Sequence, residues 1–159
     1  KWSRIFLNSF KHKDKIKEIY TVDFGKRSAV ILYRDNKILF VKQHRILINR
    51  TSLELPGGKI ENNESFEQGA VRECLEETGY QCETLKEIAF FHPGLDTLNN
   101  PTKIFMTDDF AEDVRTNIES EVEGVEWIDI EKVHNMLDLK QFPDALTQLG
   151  LLYFFRSRS

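Results

Sequence analysis

Cysteine is scarce in this chain of 159 residues, with Cys74 and Cys82 the only two. They form neither a disulfide framework nor a pair of zinc-type CxxC motifs, and Cys74 is expected to be a small buried hydrophobe in a reducing compartment. Proline and glycine are sparse as well, at 4 and 8 residues, which excludes a collagen-like or linker-rich chain. No apolar run approaches the roughly 20 residues that cross a bilayer. The start, Lys1-Trp2-Ser3-Arg4-Ile5-Phe6-Leu7, turns polar too soon for a secretory signal. A cytoplasmic location without a membrane partner is therefore expected. Positive charge is in deficit, with 22 Lys and Arg against 26 Asp and Glu and a net charge of -4. Such a chain lacks the broad basic surface that holds a nucleic-acid polymer. A phosphorylated substrate must be attracted by something other than net charge.

What is present, 40% hydrophobic and 30% charged residues, is the composition of a globular protein. At roughly 100 to 200 residues per domain, one domain over 1–159 is expected. The segments 19–24, 28–33 and 38–41 are short, β-branched or aromatic, and separated by polar turns such as Arg34-Asp35-Asn36-Lys37, so they read as strands. Leu53-Glu54-Leu55 ends in Pro56-Gly57-Gly58, where proline holds Leu55 extended and the glycines allow a tight loop. The stretch 65–78 has no proline. Ser65 can cap a helix there, Gln68 can complete a capping box, and Gly79 sits where a C′ glycine belongs. Further strands are expected at 85–91, 103–107 and 122–128, and further helices at 131–137 and from Pro143, at N1, to Phe155. The order of strands, helix, strands and helices predicts an α/β fold with a sheet sandwiched between helices.

On the predicted helix, a rotation of about 100° per residue puts Glu77 about 40° from Glu73 and Glu76 about 60° to its other side. Three carboxylates then share one face, while Val71, Cys74, Leu75 and Thr78 fall opposite and can pack on a sheet. Clustered carboxylates repel one another, and a divalent cation removes the conflict. Oxygen-only ligands favour Mg²⁺ or Mn²⁺ over Zn²⁺. A solvated acidic face is the competing account.

Gly58-Lys59-Ile60-Glu61-Asn62-Asn63-Glu64, seven further residues, and then Arg72-Glu73-Cys74-Leu75-Glu76-Glu77-Thr78-Gly79-Tyr80 resemble the Nudix box, GX5EX7REUXEEXGU with U apolar, at every fixed position. The resemblance implies a Nudix fold with the box as loop, helix and loop. It implies that Glu73, Glu76 and Glu77 carry Mg²⁺, with Mn²⁺ able to substitute, helped by the backbone carbonyl of Gly57. It also implies an ion pair between Glu64 and Arg72, or Glu64 as a further ligand. Arg72 is read as chiefly structural, because its helical angle points beside the acidic face rather than over it.

Val41-Lys42-Gln43-His44-Arg45, Leu53-Glu54-Leu55-Pro56-Gly57-Gly58 and His92-Pro93-Gly94 look like the VRQYR, WELPAG and SPG segments of the ADP-ribose pyrophosphatase group. This implies hydrolysis of the pyrophosphate bond in ADP-ribose or a related nucleotide sugar. The group's downstream base or extra metal ligand is matched by Glu119 and Glu121. Arg45 is a candidate diphosphate contact, and His92, with Tyr20, Phe24 and Phe91, a candidate for stacking on a base, although aromatics at strand positions are more often core. The first strands resemble those that the group exchanges between subunits, implying a homodimer. Two other readings are a nucleoside triphosphate or dinucleoside polyphosphate hydrolase and a non-catalytic nucleotide sensor.

Overall fold

The computed structural model describes residues 4–113 and 121–158. Among them the chain runs through β1 (Arg4–His12), β2 (Lys15–Asp23), β3 (Arg27–Arg34), β4 (Lys37–Arg45), β5 (Arg50–Glu54), β6 (Gly57–Lys59), α1 (Phe66–Thr78), β7 (Tyr80–Cys82), β8 (Lys86–Phe91), β9 (Leu98–Asn99), β10 (Thr102–Thr107), β11 (Phe110–Glu112), β12 (Val122–Asp129), α2 (Ile130–Asp138) and α3 (Ala145–Arg158). The central sheet has the order β12-β4-β3-β10-β8, with β5 added to β4 and β6 to β3. It is mixed: β10 lies parallel to β3, while β12 and β5 run antiparallel to β4.

The run Ala29-Val30-Ile31-Leu32 is buried throughout, because the sheet is covered on both faces. Ala29 and Ile31 of β3, Ile38 and Phe40 of β4, and Ile104 of β10 face one core with Val133 of α2 and Leu151 and Phe154 of α3. Their sequence neighbours Val30, Leu32, Leu39 and Phe105 face a second core with Ala70 and Cys74 of α1. The period-two alternation of each strand thus separates two cores, and the helices close both sides as expected.

The cap of α1 forms as its sequence implies. Ser65 accepts the Gln68 N–H, the Gln68 side chain accepts the Ser65 N–H, and Gly79 takes the left-handed conformation at φ 75°. Helix α3 begins later than expected: Asp144 accepts the Thr147 N–H at 2.8 Å, which makes it the N-cap and moves Pro143 outside the helix. Strands β1, β6, β7, β9 and β11 are additions to the expected set, β6 forming where a tight loop was expected because Gly57-Gly58-Lys59 pairs with Ala29-Ser28-Arg27 of β3. The longest of them, β1, pairs with β2 as a hairpin whose other neighbour is the two-residue β9. For this reason Tyr20 and Phe24 are exposed rather than core, whereas Phe91 packs against the first core. No helix among the described residues is long and apolar enough to cross a membrane.

Candidate active site

Helix α1 lays its acidic face against the turn between β5 and β6. Gly57, at φ 156°, runs so close to β3 that a Cβ there would meet the Ser28 carbonyl and the Ala29 backbone. At Gly58, a Cβ would instead occupy the place of the Glu73 carboxylate. The two glycines therefore have separate uses. The first seats the turn on the sheet and the second leaves room for an acidic side chain.

Glu77 does not point outward with the rest of the acidic face. It is 5% exposed, and its two oxygens accept from Gln43 Nε2 at 2.7 Å and from the Gly57 N–H at 2.8 Å. Cys74 is fully buried on the same helix, 3.4 Å from Cys82 between sulfurs. The contact with Cys82 and burial push its thiol well above the ordinary value, so it stays protonated and inert, as a buried hydrophobe should.

Arg72 pairs with Glu64 through Nε at 2.8 Å and Nη2 at 3.0 Å, and Nη2 also donates to the Lys59 carbonyl at 2.9 Å. The implied link between loop and helix is present. The expectation that Arg72 points beside the acidic face needs correction, since its Nη1 lies 2.8 Å from both Glu73 and Glu76. Helical angle places only Cβ, and the long side chain bends across the face from there. Hydrogen bonding to Glu64 first, then to Glu73 and Glu76, holds the guanidinium far above its already high pKa. In return, Arg72 and the Glu61 N–H lower the pKa of Glu64.

With carboxylates turned to Arg72, Gln43 and Gly57, no three Asp, Glu, His or Cys side chains among the described residues are gathered as a ready metal cage. The donor set still suits a hard divalent cation. It consists of carboxylate oxygens from one helix face, with Glu73 lying directly against Gly58, and a cation would compete with Arg72 for the same oxygens. A cavity of about 600 Å³ opens on the Glu64 side, bordered by Arg4, Lys26 and Lys59.

The other candidates spread around this centre. Arg45 is engaged by Glu54, with Nε 2.8 Å from Oε1 and Nη2 2.5 Å from Oε2. These bonds, and the charges of Glu54, Asp144 and, last, Glu77, raise its pKa. Glu121 is exposed immediately before Val122, the residue opposite Gln43 in the β4–β12 pairing. Of its acidic neighbours, Glu123 accepts from Thr51 and Glu126 pairs with Lys42. Glu119 lies outside the described residues. His92 is exposed beside Phe90, their rings 5.3 Å apart.

Gln43 and Glu54 lie inside segments already singled out by sequence, yet neither was expected to act. The available signal was phase: both polar residues stand at inward positions, Gln43 two residues beyond buried Val41, and Glu54 opposite Val41.

The model of the NUDIX domain matches residues 24–149. The chain belongs to the Nudix family. Its members are pyrophosphohydrolases that generally use divalent metal ions, and in this Nudix hydrolase the box runs from Gly58 in β6, through the loop that carries Glu64, along α1 with Arg72, Glu73, Glu76 and Glu77, to Gly79 at its C-cap. It is 31% identical over 131 residues to an ADP-ribose pyrophosphatase of Bacillus subtilis, covering 81% of this chain and 71% of that protein. It is 27% identical to a CMP-5'-(N-acetyl-N-hydroxy-3-aminopropyl)phosphonate hydrolase of Streptomyces rubellomurinus, covering 79% of this chain and 62% of that one. In fold it resembles the crystal structure of an ADP compounds hydrolase, with a TM-score of 0.73 at 13% identity, over 98% of this chain and 94% of that one.

Proposed function

We propose that this Nudix hydrolase cleaves the pyrophosphate bond of a nucleoside diphosphate joined to a second moiety, with ADP-ribose the leading substrate, and that its cation is Mg²⁺, replaceable by Mn²⁺. The observation that carries the reading is the acidic face of α1, with Glu73 beside Gly58, Glu77 on the Gly57 N–H, and Glu76 joined to Glu73 through Arg72. Similarity to an ADP-ribose pyrophosphatase over most of the chain supports the substrate class.

A cation bound there would supply positive charge to the diphosphate oxygens and so favour the attack of water. Glu73, Glu76 and Glu77, with the Gly57 carbonyl, would hold it, while Arg72 offsets the repulsion between Glu73 and Glu76 and ties the loop to the helix. Glu119 or Glu121 accepts the proton of the attacking water. Arg45 and His92 meet the substrate, Arg45 by its guanidinium on a phosphate. The exposed hairpin residues Ile5, Leu7, Ile16 and Tyr20 support a homodimer, which light scattering on the eluted protein tests.

A panel of nucleotide sugars, nucleoside triphosphates and dinucleoside polyphosphates, assayed with Mg²⁺ and resolved by mass, tests the activity. ADP-ribose and water should give AMP and ribose 5-phosphate. Release of pyrophosphate from a triphosphate, with ADP-ribose untouched, would move the enzyme to another Nudix class. Binding without turnover anywhere in the panel would make it a sensor.

A further inference from the structure

Strand β4 turns Leu39 toward the core beneath α1 and buries Val41 in the same phase. The next residue in that phase is Gln43, still only 7% exposed. An amide in this place is costly to bury unless its polar atoms find partners. Its Nε2 donates to Glu77 Oε1 at 2.7 Å, while the Gly57 N–H reaches Glu77 Oε2 at 2.8 Å. Two donors from two elements of the sheet, one on each oxygen, fix both the rotation and the tilt of the carboxylate.

We propose that Gln43 is a positioning residue that presents Glu77 to the divalent cation. The inference rests on the reading of Glu77 as a metal ligand. A neutral amide suits the task better than Lys or Arg, because it orients the carboxylate without cancelling the charge that attracts the cation. The geometry differs from that of Arg72, whose positive charge lies directly on Glu73 and Glu76 and competes with a cation for them.

The test titrates Mn²⁺ into the full chain without substrate, following free Mn²⁺ by electron paramagnetic resonance. Gln43→Met keeps the length of the side chain and removes the donor. It should weaken Mn²⁺ binding about 10- to 100-fold and lower kcat with KM little changed. Added to Glu77→Gln, it should cost nothing further, because it acts through Glu77. Wild-type Mn²⁺ affinity in Gln43→Met, beside weakened affinity in Glu77→Gln, would overturn the positioning role and leave the ligand intact. A full additive loss in the double variant would also overturn it. Unchanged affinity in Glu77→Gln would instead remove Glu77 as a ligand. Should Gln43→Met lose its native circular dichroism, Gln43→Asn decides by the same criteria, since it keeps the amide but draws it back by one methylene.

Discussion

Arg72 holds Glu64 at two points, Nε to Oε1 at 2.8 Å and Nη2 to Oε2 at 3.0 Å, and so ties the loop ahead of α1 to the middle of the helix. The pairing lowers the Glu64 pKa below its ordinary value. Its contribution to stability is therefore fully present above the unfolded value of about 4.3 and is lost as pH falls through the lower folded value. Glu64→Gln should lose up to about 1 kcal/mol at pH 7, and the difference from wild type should close as pH falls through the lowered folded pKa of Glu64. Urea unfolding at stepped pH measures this. A difference that grows toward acid would reverse the argument.

Glu77→Gln should lower kcat by at least about 100-fold with the fold retained, because it removes charge from the metal site without changing side-chain size. EDTA should abolish wild-type activity, and Mg²⁺ or Mn²⁺ should restore it. Recovery with Zn²⁺ alone would contradict an oxygen-ligand site.

The neighbouring glycines should respond differently to alanine. At Gly57 the new Cβ meets the backbone of Ser28 and Ala29, and the residue already sits at φ 156°, so Gly57→Ala should cost about 2 to 3 kcal/mol or more of stability. At Gly58 the nearest atoms it meets belong to the Glu73 carboxylate, the end of a flexible side chain. Gly58→Ala should then fold nearly as well as wild type while losing on the order of tenfold in metal affinity. Melting curves and Mn²⁺ titration of both variants separate the effects, and equal destabilisation with equal affinity would contradict them.

If Glu121 accepts the proton of water, Glu121→Gln should lower kcat by about 10² to 10⁴ with KM little changed and flatten the acidic limb of the pH-rate profile. Glu119→Gln is the parallel experiment. A ligand variant should be partly rescued by extra Mg²⁺, and a base variant should not. Wild-type behaviour in both would place the base elsewhere.

Sequence by itself determined the α1 helix and its acidic face, because these depend on local rules: the Ser65 and Gln68 capping box, Gly79 at the C-terminus, and the spacing that sets Glu73, Glu76 and Glu77 along one side. It also determined the strands whose apolar runs are buried on both faces. It did not reveal β1, which is exposed along its length and so carries no core-facing pattern to read. Only the tertiary structure decided where long side chains end. Arg72 bends over Glu73 and Glu76, Arg45 reaches Glu54, and Gln43 from β4 meets Glu77 from α1 across 34 positions of sequence. Helical periodicity places a Cβ within one element, whereas the end of a side chain is set by whichever charges and donors other elements bring to it. Packing between sheet and helix therefore decided which carboxylate is buried and which remain open.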